Sequence, residues 1–169
     1  VNLPPVFLEA TKYLQSFLND RLEKLKQWGI LQRKDLRYVS KTELLELQAQ
    51  LRGRASTGEK DFVIWNAISV LAEVMKVSHG LELLETQGVI PAYKYMERLN
   101  SDASITKTKA VKNIVKDLNF RSAFVKVLKL HEEKVEHPKL IELQKIVEKE
   151  IKENPDNKII VFNQYRDNA

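Results

Sequence analysis

A mainly α-helical bundle followed by one C-terminal β-strand is the fold class that the sequence predicts, and three observations carry it. Apolar residues recur at helical spacing through nearly everything before residue 154. Glycine- and proline-bearing breaks cut that periodicity into helix-length pieces. The pattern then changes: after a turn at Asn154-Pro155-Asp156-Asn157, the consecutive apolar residues Ile159 to Phe162 read as a strand buried on both faces, the kind found in parallel sheets covered by helices.

After Pro4-Pro5, a long helix carries Phe7, Ala10, Leu14, Phe17, Leu18, Leu22, Leu25 and Trp28 on one face and closes at Gly29. Ser40 and Glu43 have the spacing of a capping box, opening a short helix with Leu44, Leu47 and Leu51 inside. The stretch from Gly53 to Gly58 reads as a linker. From about Asp61 to Gln87 runs a third helix whose polar residues keep to a narrow stripe, Asn66, Ser69, Glu73 and Lys76, so it belongs at the centre of the bundle. Gly88 stops it. Pro91 opens a shorter helix through Tyr95 to Leu99, broken by Asn100-Ser101-Asp102. Two further helices, at about 105 to 118 and 120 to 131, bury Val111, Ile114 and Leu118, then Phe124, Val127 and Leu128. Pro138 starts a last helix with Leu140, Leu143, Val147 and Ile151 inside.

The chain of 169 residues can bury one core, or one core with an appendage. It contains no cysteine, which excludes disulfides and thiolate metal sites and suits an intracellular protein. No stretch reaches the roughly 18 to 20 apolar residues of a membrane span, and the N-terminus lacks a leader pattern. The chain begins at Val1 without an initiator methionine, and a doubly buried strand cannot stand alone. Both features read as a piece of a longer protein.

Charge is unevenly placed. Between Ser104 and His131 stand Lys107, Lys109, Lys112, Lys116, Arg121, Lys126 and Lys129, seven cations against Asp117 alone, an excess of +6 where the whole chain has +5. Lys109, Lys112 and Lys116 share one helix face opposite Val111, Ile114 and Leu118. Such a row can follow a phosphate backbone and release its condensed counterions, or it can merely keep a helix solvated. A lesser cluster, Arg33, Lys34, Arg37, Lys41, Arg52 and Arg54, has acidic neighbours Asp35, Glu43 and Glu46 to pair with. Catalysis has little foothold: no glycine-rich phosphate loop, no His-Glu-x-x-His and no nucleophile elbow occurs. His79 reads as a hydrogen bonder at the core edge, and Trp28 and Trp65 as core residues. The glutamates at 132, 133 and 136 read as solvated.

Two segments carry a family resemblance. His137-Pro138-Lys139-Leu140 followed by Lys158-Ile-Ile-Val-Phe and Gln164-Tyr165-Arg166-Asp167 resembles the start of the second RecA-like motor domain of superfamily 2 helicases, in the branch of archaeal Hef and eukaryotic FANCM. Upstream, His79 to Gly88, ending in Leu-Glu-Thr-Gln-Gly, is similar to that family's long helix. The resemblance implies a helical, thumb-like insertion domain over 1–132, and over 133–169 the first helix and strand of a truncated second motor domain. It implies a parent that is an ATP-dependent DNA-repair helicase, cytoplasmic in an archaeon or nuclear in a eukaryote. ATP and Mg would bind between the parent's two motor domains, with no cofactor in this piece, which would not be an enzyme by itself. Its partners would be forked or branched DNA, gripped by the seven cations above with Gln164 and Arg166 near the motor cleft, and the two motor domains. The orphan strand could also pair with a second copy. Related insertions occur in Dicer-type and innate-immune RNA helicases, and a protein-interaction platform is the reading from another class.

Overall fold

In the computed structural model, which describes residues 3–32, 39–58 and 61–162, each helical period of the sequence forms a helix. Proline at the first position starts α1 (Pro5–Gln27), where its missing N–H has no intrahelical partner to lose. Gly29, at φ +71°, ends it: Ile30 N–H donates to the Leu25 carbonyl at 2.9 Å and Gly29 N–H to Lys26 at 3.0 Å, a left-handed cap. The capping box forms at α2 (Lys41–Ser56), Glu43 N–H donating to Ser40 Oγ at 3.2 Å and Ser40 N–H to Glu43 Oε2 at 3.1 Å. Asp61 caps α3 (Phe62–Thr86) by accepting from Val63 N–H at 2.8 Å. There follow α4 (Val89–Ile105), α5 (Lys109–Lys116), α6 (Leu118–Glu132) and α7 (Pro138–Glu153).

The helix α3 packs against α1, α2, α4 and α5, as its nearly all-round apolar surface requires. Two cores result. One joins Phe7, Leu14 and Phe17 of α1 to the C-terminal half of α3 and to α4, α5 and α6; the other joins Leu22 and Leu25 to α2 and the N-terminal half of α3. At the seam, Arg21 points inward from α1. Its Nε–H donates to Glu73 Oε1 of α3 at 3.2 Å, its Nη1 lies 3.0 Å from Asp117 Oδ2 at the start of α6, and its guanidinium sits 4.1 Å from the Phe17 ring centre. Burial raises the Glu73 pKa against the pull of Arg21, so holding this carboxylate as an ion carries a cost that the charge and hydrogen bonds of its partners offset.

Several expectations change. The linker from Gly53 is instead the end of α2, which continues to Ser56. Asn100-Ser101-Asp102 does not break α4, because Asn100 Nδ2 donates to the Met96 carbonyl and Ser104 Oγ to that of Ser101, so these polar side chains bond to the helix instead of competing with it. Leu118 is 77% exposed: Asp117 caps α6 just ahead of it, which restarts the helical phase and gives the buried position to Phe120. Trp28 and Trp65 both stand at the surface, Trp28 because the Schellman turn carries it past the last packed turn of α1, and Trp65 because the packed face of α3 passes through its neighbour Ile64 and leaves it pointing outward. The core of α3 runs instead through Ile64, Ala67 and Leu71.

The expected strand does not form among the described residues. Lys158 to Phe162 has no regular structure and its side chains are exposed, because a strand exists only by pairing with another. It lies irregularly along α7, sharing an open groove with Leu143, Ile146 and Val147. The helix α7 has no buried residue and, among the described residues, packs against no other helix, so its apolar positions, expected inside, are half-buried at Leu140, Leu143 and Val147 and exposed at Ile151. One buried side chain joins it to the bundle. His137 Nδ1 accepts from Lys139 N–H at 3.1 Å, so the ring proton is on Nε2, which donates to the Glu85 carbonyl at 3.0 Å. The ring also meets Phe7 edge-on, at 5.8 Å between centres.

Breaking the seam should be costly. Arg21→Met leaves Glu73 buried without its cation and should destabilise the protein by about 3 kcal/mol, lowering the thermal midpoint by roughly 6–12 °C at this chain length. Adding Glu73→Leu should recover part of the loss, and a double variant as weak as the sum of both singles would show the pair to be uncoupled. The His137 joint should be pH-dependent. Burial lowers the pKa of the imidazole, with Lys139 adding to the effect and the Glu85 carbonyl opposing it. A depressed folded-state pKa means that stability is fully present above the ordinary value near 6.5 and is lost as pH falls below it. The stability advantage of the native chain over His137→Asn, which keeps a cap but cannot titrate, should therefore shrink between about pH 7.5 and pH 5.5. Glu73 and Glu85, whose carboxyl pKa values burial raises, titrate in both proteins and drop out of that difference. A constant difference across the range would rule out the neutral, buried ring as the anchor.

Candidate nucleic-acid interface

The basic face begins with a strongly two-sided helix. In α5, Ala110, Val111 and Ile114 are buried against α3 and α4, while Lys109, Lys112 and Lys116 are exposed. Apolar and cationic residues alternate at three- and four-residue spacing, so the fold can bury one set only by presenting the other to water. Among the described residues no carboxylate forms an ion pair with any of these three lysines. Lys109 Nζ instead donates to Asn66 Oδ1 on α3 at 3.1 Å.

Beside this row lies an open groove of about 380 Å³ between α1, α3 and the start of α6, floored by the Arg21, Glu73 and Asp117 network and rimmed by Lys24, Lys116, Trp28 and Asn66. Glu73 also accepts a hydrogen bond from Asn113 of α5, which fixes α5 against the floor. The buried ion pairs thus set where the lysine row stands. Sequence reasoning overlooked both Arg21 and Lys24. A signal was available: Arg21 sits four residues after Phe17 on an otherwise apolar stripe, and Glu73 on the polar stripe of α3 is its complement.

The remaining expected cations divide. Lys107 and Arg121 are exposed, but Lys126 is 2.8 Å from Glu9 of α1 and Lys129 is 4.0 Å from Glu133, so these two have carboxylate partners that phosphates would have to displace. Contact with Lys126 holds the Glu9 pKa below its ordinary value. The structure therefore brings together Lys109, Lys112 and Lys116, adds Lys24 at the groove, and leaves Lys126 and Lys129 in pairs. Gln164 and Arg166 lie outside the described residues, as do Arg33, Lys34 and Arg37 of the lesser cluster. Lys41 stands 4.0 Å from Glu82. His79 sits at the core edge, its ring against Tyr95 at 4.9 Å and its Nδ1 3.9 Å from Glu82.

Gly88 opens α4 at φ +102°, and a Cβ there would stand 3.0 Å from His137 Cβ, so His137 fills the space in front of that helix start. Among the described residues no group of three or more His, Asp or Glu side chains could hold a metal ion, and no helix is long and apolar enough to cross a membrane.

A family model described as "Putative ATP-dependent RNA helicase, helical bundle" matches residues 6–134. The chain is 36% identical over 167 residues to the "Putative ATP-dependent RNA helicase MJ1505" of Methanocaldococcus jannaschii, a match that covers 99% of this chain and 20% of that protein. The crystal structure of the Pyrococcus furiosus Hef helicase domain superposes with a TM-score of 0.85 at 30% identity, covering 99% of this chain and 34% of that one. The chain thus spans about a fifth of its curated relative and a third of the solved helicase domain. From the fold and these matches together, the chain belongs to the helicase helical-bundle family, whose model spans residues 6–134.

Proposed function

We propose that this domain grips forked or branched DNA for a Hef-like superfamily 2 helicase in DNA repair, with the face of Lys109, Lys112 and Lys116 lying along a phosphate backbone. The observation that carries this reading is the exposed row of three lysines without carboxylate partners among the described residues, braced from below by the Arg21 network. Contacts of this kind position a nucleic acid without reading its sequence. Lys107, Arg121 and Lys24 would extend the contact at either side. The RNA reading is favoured by the name of the M. jannaschii relative, and the DNA reading by the resemblance to Hef.

On the same reading, residues 133–169 belong to the second motor domain, and Ile159 to Phe162 pair as a strand once the rest of its sheet is present. This is supported by the absence of any helix packed on α7, by its exposed apolar positions, and by a family match that ends at residue 134. Gln164 and Arg166 would then approach the motor cleft. ATP and Mg would be held by the parent's motor domains, which in an archaeon would work in the cytoplasm.

The chain should bind forked DNA weakly and with steep salt dependence, each phosphate contact adding about 0.9 to the logarithmic slope on duplex. Replacing Lys109, Lys112 and Lys116 together by glutamate should abolish binding while leaving the thermal midpoint nearly unchanged, since all three side chains are exposed. Unaltered affinity would make the face a solvating one and favour the protein-interaction reading; tighter binding to duplex RNA than to forked DNA would favour the RNA branch. The isolated chain should neither bind nor hydrolyse ATP. Turnover that survives purification to homogeneity and rises with added DNA would refute this.

A further inference from the structure

Trp28 is 37% exposed, Trp65 57% and Phe62 79%. Three large rings at one end of a small domain form the sort of apolar surface that marks a binding site. They are also tied to the lysine row. Trp28 rims the groove together with Asn66 and Lys116. Asn66 Nδ2 donates to the Phe62 carbonyl one turn earlier at 2.9 Å, and Asn66 Oδ1 accepts from Lys109. Phe62 and Trp65 are i,i+3 neighbours on the first turns of α3. Asn66 thus links Lys109 to the turn of α3 that carries Phe62, and the groove sets Trp28 and Lys116 along one rim.

The place of these rings in the fold argues against the adjoining chain as their cover. Phe7 and His137 touch, so the segments before and after the bundle leave it at one end. From Phe7 to Trp28 the helix α1 advances roughly 30 Å, and α3 runs about 34 Å between Phe62 and Glu85. The rings stand at the opposite end, with the cations beside them.

We infer that Trp28, Phe62 and Trp65 form a stacking platform for unpaired bases of a DNA strand whose phosphates lie on Lys109, Lys112 and Lys116. This rests on the nucleic-acid reading of the lysine face and names the substrate class more closely: the single-stranded arm of a fork. The distance from Lys109 to Lys116 is about 10 Å along α5, close to the rise of three stacked nucleotides. Any base offers a ring face to an aromatic side chain, so stacking is sequence-tolerant, but only an unpaired base has that face free. Duplex DNA would engage the lysines alone.

The chain contains two tryptophans, and both belong to the platform, so its intrinsic fluorescence reports stacking directly. The test titrates the native chain with a fork bearing two unpaired arms, a blunt duplex, and the same fork in RNA, reading the anisotropy of the labelled nucleic acid and tryptophan emission in parallel. Emission should be quenched by the fork and little changed by the blunt duplex. Trp65→Leu and Phe62→Leu should each weaken fork binding at least about five-fold while changing duplex binding by less than about two-fold. An RNA fork that quenches equally also supports the platform, with the sugar undiscriminated. Unchanged emission and unchanged affinity of both variants, alongside loss of binding in the triple lysine variant, would overturn the platform and leave the lysine reading standing. Equal weakening on fork and duplex would overturn it too, since the rings would then only support the fold. Absence of binding to any of the three nucleic acids would overturn both readings.

Discussion

Arg21 is the constraint on which the arrangement of this domain depends. A guanidinium taken out of water must be met by carboxylates in a fixed geometry, or the bundle loses several kcal/mol. It is met by Glu73 from α3 and Asp117 from the start of α6, so one side chain of α1 sets the mutual positions of three helices. Apolar contacts alone would tolerate sliding along the interface between α1 and α3. A buried ion pair with bonds at 3.2 Å and 3.0 Å does not, and this is the best-attested use of such pairs. The two cores on either side of the seam are held in one register by it.

The candidate interface follows from that register. Asp117 both pairs with Arg21 and caps α6, so the turn between α5 and α6 is anchored at the floor of the groove. Anchoring the turn, together with the hydrogen bond from Asn113 to Glu73, leaves α5 one way to face: apolar side down, lysines out. Charge at the surface is thereby a consequence of charge in the interior. The exposed rings of Trp28, Phe62 and Trp65 stand at the same end of the bundle as that lysine row.

At the other end the organisation is looser. The helix α7 is connected through a ring that fills the space at Gly88, caps the helix with one nitrogen and holds the Glu85 carbonyl with the other. A single fully bonded imidazole can orient a helix without burying it. The apolar positions of α7 and of Ile159 to Phe162 are left facing each other across an open groove.

What the sequence determined by itself is local. Periodicity located the seven helices of the described residues, and cap chemistry at Ser40, Gly29 and Pro138 marked their ends, because these signals depend on residues within one or two turns of each other. The alternation of lysines with Val111 and Ile114 likewise made the α5 face legible before any packing was known. Tertiary structure decided the rest. Leu118 is exposed because the Asp117 cap restarts the helical phase, and Trp65 because the packed face of α3 runs through Ile64 and Ala67 instead; Ile159 to Phe162 has strand residues but no strand because pairing requires a partner. Lys126 and Lys109 look alike in sequence; Glu9 of α1 stands 2.8 Å from one and the amide of Asn66 3.1 Å from the other. Electrostatic roles are set by neighbours distant along the chain, and only the folded arrangement names them.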